Sequence, residues 1–153
     1  MGTRHAYGSG RARLDDLLRG MKAEELQNVL ILEKEENDAF EACSLNRFPH
    51  SAWQGIDWEE AVFLDQEFTS GEREAAGVMR GWLSRTTAPE SLLVVFWGNA
   101  VVPAIALPAG EAKTHAEEIL YTSADVWIFS VDDRILIEYT HDGRLTMAQV
   151  PSE

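Results

Sequence analysis

The chain has 153 residues, and 26 acidic against 13 basic side chains leave a formal charge of −13. An apolar share of 45% is ordinary for one globular domain and excludes a disordered polyelectrolyte. The acidity argues against nucleic acid as a partner, because phosphates must be met by Lys and Arg, and no apolar run approaches the roughly 20 residues of a membrane span.

The start, MGTRHAYGSGRAR, carries three arginines and no acid. It lacks the apolar run of a signal peptide and reads as a flexible basic leader or an artificial remnant over residues 1–13, outside the fold. Residues 14–153 are then expected to form a single domain, with the reducing cytoplasm as its compartment. Cys43 is the only cysteine, which excludes an internal disulfide and any multi-cysteine metal site.

From Ala12 to Asn28, leucines and Met21 recur at helical spacing, with Gly20 dividing the run into one imperfect helix or two short ones. Val29-Leu30-Ile31-Leu32 reads as a short buried strand. An acidic block, Glu33 to Asp38, precedes Phe40, Leu45 and Phe48, and Pro49 ends whatever comes before it. Residues 50–68 mix aromatic and acidic side chains and fit either a helix from Asp57 or a loop feeding a strand. Thr69-Ser70-Gly71-Glu72 has the spacing of a capping box, predicting a helix with Val78, Met79, Trp82 and Leu83 inward and a stop at Thr86-Thr87-Ala88-Pro89.

Ser91 to Trp97 is a nearly continuous apolar run, the mark of a strand covered on both faces. Gly98-Asn99 signals a turn, and Val101 to Leu107 reads as the return strand, with Pro103 at an edge or bulge. Pro108 to Tyr121 reads as one amphipathic helix with Ala112, Ala116, Ile119 and Leu120 inward. Strands follow at 125–131, 135–140 and 145–150, joined by Asp132-Asp133 and Asp142-Gly143 turns. The expected class is α+β, an antiparallel sheet of about five strands over residues 91–150 packed against helices.

The chemistry is mostly excluded. Phosphate loops, nucleophile elbows and His-Glu-x-x-His pairs are absent from the sequence. His115 with Glu118 shares a helical face that could hold a metal or poise a base, yet reads more simply as a partly exposed helix residue. His141-Asp142 suits a hairpin turn. Cys43, beside carboxylates that oppose thiolate formation, reads as buried filler. Glu59-Glu60 and Asp132-Asp133 are adjacent acids without the separation that glycosidic acid–base work uses.

What remains is the charge distribution. Residues 14–74 alone carry a net charge of −11. Their acids aid solubility in any case, but they also describe a surface for a basic protein. Its expected members are Glu33, Glu35, Glu36, Asp38 and Glu41, with Asp57, Glu59, Glu60, Asp65 and Glu67, and Trp53 and Trp58 as aromatic anchors. No cofactor, metal or small-molecule substrate is expected at such a surface. Against it stand a small hydrolase using His115 or His141 with a carboxylate, and a regulatory module with an apolar ligand pocket.

Leu93-Val94-Val95-Phe96-Trp97-Gly98-Asn99-Ala100-Val101-Val102-Pro103 resembles the central hairpin of small bacterial immunity proteins of polymorphic toxin systems. So do His115-Ala116-Glu117-Glu118-Ile119-Leu120, Asp125-Val126-Trp127-Ile128-Phe129 and Ile137-Glu138-Tyr139-Thr140-His141-Asp142-Gly143. The contact-dependent growth inhibition immunity subgroup is the one it is similar to, over about residues 91–148. The resemblance implies a cytoplasmic, non-enzymatic protein that binds one cognate toxin domain and blocks its active site or substrate groove. Many such toxins are nucleases and hence basic. It identifies no binding residue, so the acidic candidates rest on charge alone.

Overall fold

The computed structural model describes residues 7, 11–50, 55–97 and 102–152. In chain order they form α1 (Ala12–Arg19), α2 (Ala23–Leu26), β1 (Leu30–Ile31), α3 (Lys34–Ala42), a 3-10 turn (Leu45–Arg47), β2 (Asp65–Phe68) and α4 (Glu72–Thr86). There follow β3 (Leu92–Trp97), β4 (Ile105–Pro108), α5 (Ala109–Thr114), α6 (Ala116–Tyr121), β5 (Val126–Ser130), β6 (Ile135–Tyr139) and β7 (Arg144–Gln149). The fold is α+β in one domain. Its seven strands pair antiparallel in the order β1-β4-β3-β5-β6-β7-β2. The five strands expected over residues 91–150 form the middle, and two strands from the N-terminal half, the short one expected near Leu30 and β2, close the ends.

The sheet separates two apolar layers. On one face, Leu93, Val95, Val126, Ile128, Ile137, Tyr139 and Leu145 meet α1, α4, α5 and α6 through Leu14, Leu17, Met79, Trp82, Ile119 and Leu120. On the other, Val94, Phe96, Trp127, Phe129, Leu136 and Ala148 lie under Leu32, Phe48, Ile56 and Trp58. Residues 32–50 and 55–63 thus form a strap of α3, the 3-10 turn and loop segments across the second face. A sheet covered on both sides explains why β3 and β5 read as continuous apolar runs.

Several local expectations change. Leu30-Ile31 is a strand but not a buried one; β1 is a two-residue edge with both side chains exposed. Pro103 precedes β4, so its missing N–H costs the ladder nothing. The 98–99 turn lies outside the described residues. The segment 108–121 is two helices, parted where His115 leaves helical geometry at φ −110° and ψ 26°, with the expected four residues inward. Gly20 likewise separates α1 from α2. Cys43 is half-buried, with Sγ 3.5 Å from the Phe40 carbonyl oxygen.

Helix α4 starts and stops where expected but is capped differently. The Thr69 hydroxyl donates to the Gly143 carbonyl rather than capping α4, and Glu74, not Glu72, reaches back to the Ser70 N–H at 2.9 Å. Glu72 instead accepts from the Tyr139 hydroxyl at 3.2 Å. Burial, and then the negative Glu72, push the Tyr139 phenol up to about 12. A phenol ordinarily titrates near 10, so the folded state holds this proton more tightly. The stability this provides is complete below about pH 10 and is lost as pH rises towards 12. The advantage of the wild type over Tyr139→Phe in urea midpoint should therefore shrink between pH 10 and 12. A constant difference would contradict the assignment.

Candidate functional site

The strap is held by one buried carboxylate. Glu138 alternates with the helix-facing Ile137 and Tyr139, so its side chain enters the strap layer, where it is 0% exposed. Its Oε1 accepts from Trp58 Nε1 at 2.7 Å and from Arg144 at 3.4 Å. Its Oε2 accepts from Trp127 Nε1 at 2.9 Å and from the Ile56 N–H at 3.1 Å. Gly55, at φ +68°, lies beside Oε2, with room for its Cβ position 3.6 Å away. A buried carboxylate needs this many donors to offset its lost hydration. The sequence shows Glu138 only as the polar partner in an alternating strand, with no sign of the donors.

That arrangement accounts for Trp58. Trp58 is 8% exposed, with its ring edge-on to Phe48 at 5.4 Å, so it fixes the strap from beneath rather than presenting a surface. Trp53 lies outside the described residues.

The acidic candidates separate into two groups on the strap side. In α3, Glu36 accepts the Glu33 N–H at 2.9 Å, placing negative charge at the helix start, where the backbone dipole favours it. Asp38 pairs with Lys34 at 2.7 Å, and that contact holds its carboxyl below the usual range. Desolvation pushes the Glu41 carboxyl up. Glu35 is exposed and adds to the negative field that helps raise the Lys34 ammonium. In the second group, Asp57 Oδ1 accepts the Glu59 N–H at 3.1 Å, while the Glu59 and Glu60 carboxylates are exposed and without partners among the described residues.

Asp65 faces the other way. Its carboxylate accepts from Trp82 Nε1 of α4 at 3.2 Å and lies 3.9 Å from Arg85. Glu67, two residues on, shares that side of β2. The expected acidic surface counts both among its members, because no local pattern shows which face of β2 they occupy.

The same strip carries apolar side chains the sequence reading left unassigned. Val62 is 85% exposed, Leu64 58% and Phe63 39%, and they line a cleft of about 520 Å³ with Gln149, Val150 and Pro151. On β2, Phe68 is 74% exposed on the strap side, opposite Arg144.

His115 and His141 give no comparable site. His115 Nε2 is 3.0 Å from Glu25 of α2, not Glu118, and His141 Nδ1 is 3.3 Å from Asp125. Among the described residues no group of three His, Cys, Asp or Glu side chains gathers to hold a metal, and no helix is long and apolar enough to cross a membrane.

A family model described as CdiI immunity protein, EcoliA0-like, matches residues 22–148. The match extends the similarity of the C-terminal strands back through the whole strap. No curated protein matches the chain.

Proposed function

The chain belongs to the CdiI immunity protein family, and on that premise we propose that it neutralises one cognate toxin domain by binding it, with no chemistry of its own. Family membership across residues 22–148 is the observation that carries this reading. The toxin we infer is basic and nuclease-like, acting in the cytoplasm, and the acidic strap occupies the groove its substrate phosphates would use. The net charge of −13 supports that pairing, as does the packing of the segments that carry Glu33, Glu35, Glu36, Asp38, Glu41, Asp57, Glu59 and Glu60 over the second face of the sheet through Phe40, Ile56 and Trp58. Clustered acids raise the rate at which a basic partner is met, and carboxylate–guanidinium bonds then fix the register.

The test begins with a pull-down from lysate of the source cell, using this protein as bait and washing at about 50 mM and about 500 mM salt, where screening lengths are roughly 14 and 4 Å. One basic toxin domain, retained through the second wash and inhibited by the bait, is the expected result. A bait that binds no toxin, in lysate shown to contain one, ends the proposal. With the toxin in hand, reversing Glu35, Glu36, Glu59 and Glu60 to Lys should slow association by at least about tenfold at low salt and flatten its salt dependence. An unchanged rate removes this surface from the mechanism.

A further inference from the structure

We propose that the toxin is anchored at the Val62–Leu64 cleft, by an apolar side chain that it presents between basic ones. The inference rests on the toxin-neutralising reading and assigns the contact that sets the lifetime of the complex.

Steering charge alone makes a fast and short-lived encounter; a slow off-rate requires a desolvated apolar centre within the charged rim. Trp58 cannot supply it, because it is buried against Phe48 and bonded to Glu138. The α3 group cannot either. Its outer surface is charged, several of its acids already serve Lys34 or the helix start, and Phe40 is turned into the strap core.

Residues 59–64 differ on both counts. Glu59 and Glu60 have no side-chain partners among the described residues, and beyond Ala61 the side chains of Val62 and Leu64 are well exposed beside a cleft of about 520 Å³, with Phe63 between them half-buried edge-on to Trp58. Small proteins seldom leave consecutive large apolar residues in water without a use for them. Glu60 at the rim of the cleft, with Glu59 next to it in the chain, selects a lysine or arginine beside the incoming apolar group, which is the charge complement that a basic toxin provides, while Arg47 lines the same cleft. The strip is also firmly placed: Leu64 N–H donates to the Met147 carbonyl at 2.7 Å, and Asp57 N–H to the Pro49 carbonyl at 2.8 Å. Little ordering cost then remains to be met on binding.

The experiment is surface-plasmon resonance of the whole protein over the immobilised toxin domain from the pull-down, with wild type, Val62→Ser with Leu64→Ser, and Glu35→Lys with Glu36→Lys. Both serines replace exposed side chains, so circular dichroism and melting temperature should match the wild type. The double serine variant should dissociate at least about thirtyfold faster with its association rate within twofold, the pattern of a lost hot spot. The α3 reversal should slow association and leave dissociation nearly unchanged. If wild type binds and the serine variant dissociates within twofold of it, the cleft is not the anchor and the immunity reading stands. If wild type fails to bind the toxin at all, both fall together.

Discussion

Glu138→Ala should destabilise the protein by about 3 kcal/mol or more, because it orphans several buried donors at once, each costing on the order of 1–3 kcal/mol before relaxation. Trp58 Nε1, Trp127 Nε1 and the Ile56 N–H would face a void, and the Arg144 guanidinium would lose its carboxylate. Glu138→Gln is the sharper comparison. An amide has nearly the same shape, but one end is an NH2 group that meets donors wherever it is turned. It can satisfy either the Trp58 and Arg144 side or the Trp127 and Ile56 side, and never both. Glutamine should therefore fall between wild type and alanine in a urea titration followed by tryptophan emission. The emission should also shift to the red as Trp58 loosens. A loss below about 1 kcal/mol for alanine would mean that the strap is held by apolar contact alone.

Gly143→Ala should be nearly as damaging, for a steric reason. Gly143 turns the β6–β7 hairpin at φ +96°, and a Cβ added there would lie 2.2 Å from the Thr69 carbonyl oxygen, a backbone atom. Holding a non-glycine residue in such a conformation costs about 1–3 kcal/mol by itself, and relieving the clash means moving Thr69 away. Thr69 is tied to this turn twice, through its N–H and its hydroxyl, both at 2.8 Å from the Gly143 carbonyl oxygen. The substitution should thus peel β2 from β7 while the middle of the sheet persists. Amide exchange of Asp65–Phe68 should rise well before that of β3 or β5; uniform exchange across the sheet would rule this account out.

The middle of the fold was legible because its signals are local. Leu92–Trp97 and Val126–Ser130 are apolar runs, and Asp142-Gly143 is a hairpin dipeptide. Strand β2, Asp-Gln-Glu-Phe, has no such signal; it is extended because β7 offers it a ladder, not because its residues favour one. Glu138 was hidden for the same reason. In Ile137-Glu138-Tyr139 it reads as the solvent side of a half-covered strand, and its donors are 80 residues or more away for Trp58 and Ile56. The acidic surface was legible as composition, and α3 and Asp57–Glu60 do share a side. The turning of Asp65 towards Trp82, and the burial of Trp58, depend on pairings that no local pattern encodes.

The sheet order also carries a consequence for timing. The strap is made early in synthesis, but the groups that hold it come late: Ile56 waits 82 residues for Glu138. At roughly 5–20 residues per second that wait lasts several seconds. A nascent chain therefore carries its acidic strip without the carboxylate that holds it until β6 has left the ribosome, and the strap can close only on a nearly finished molecule.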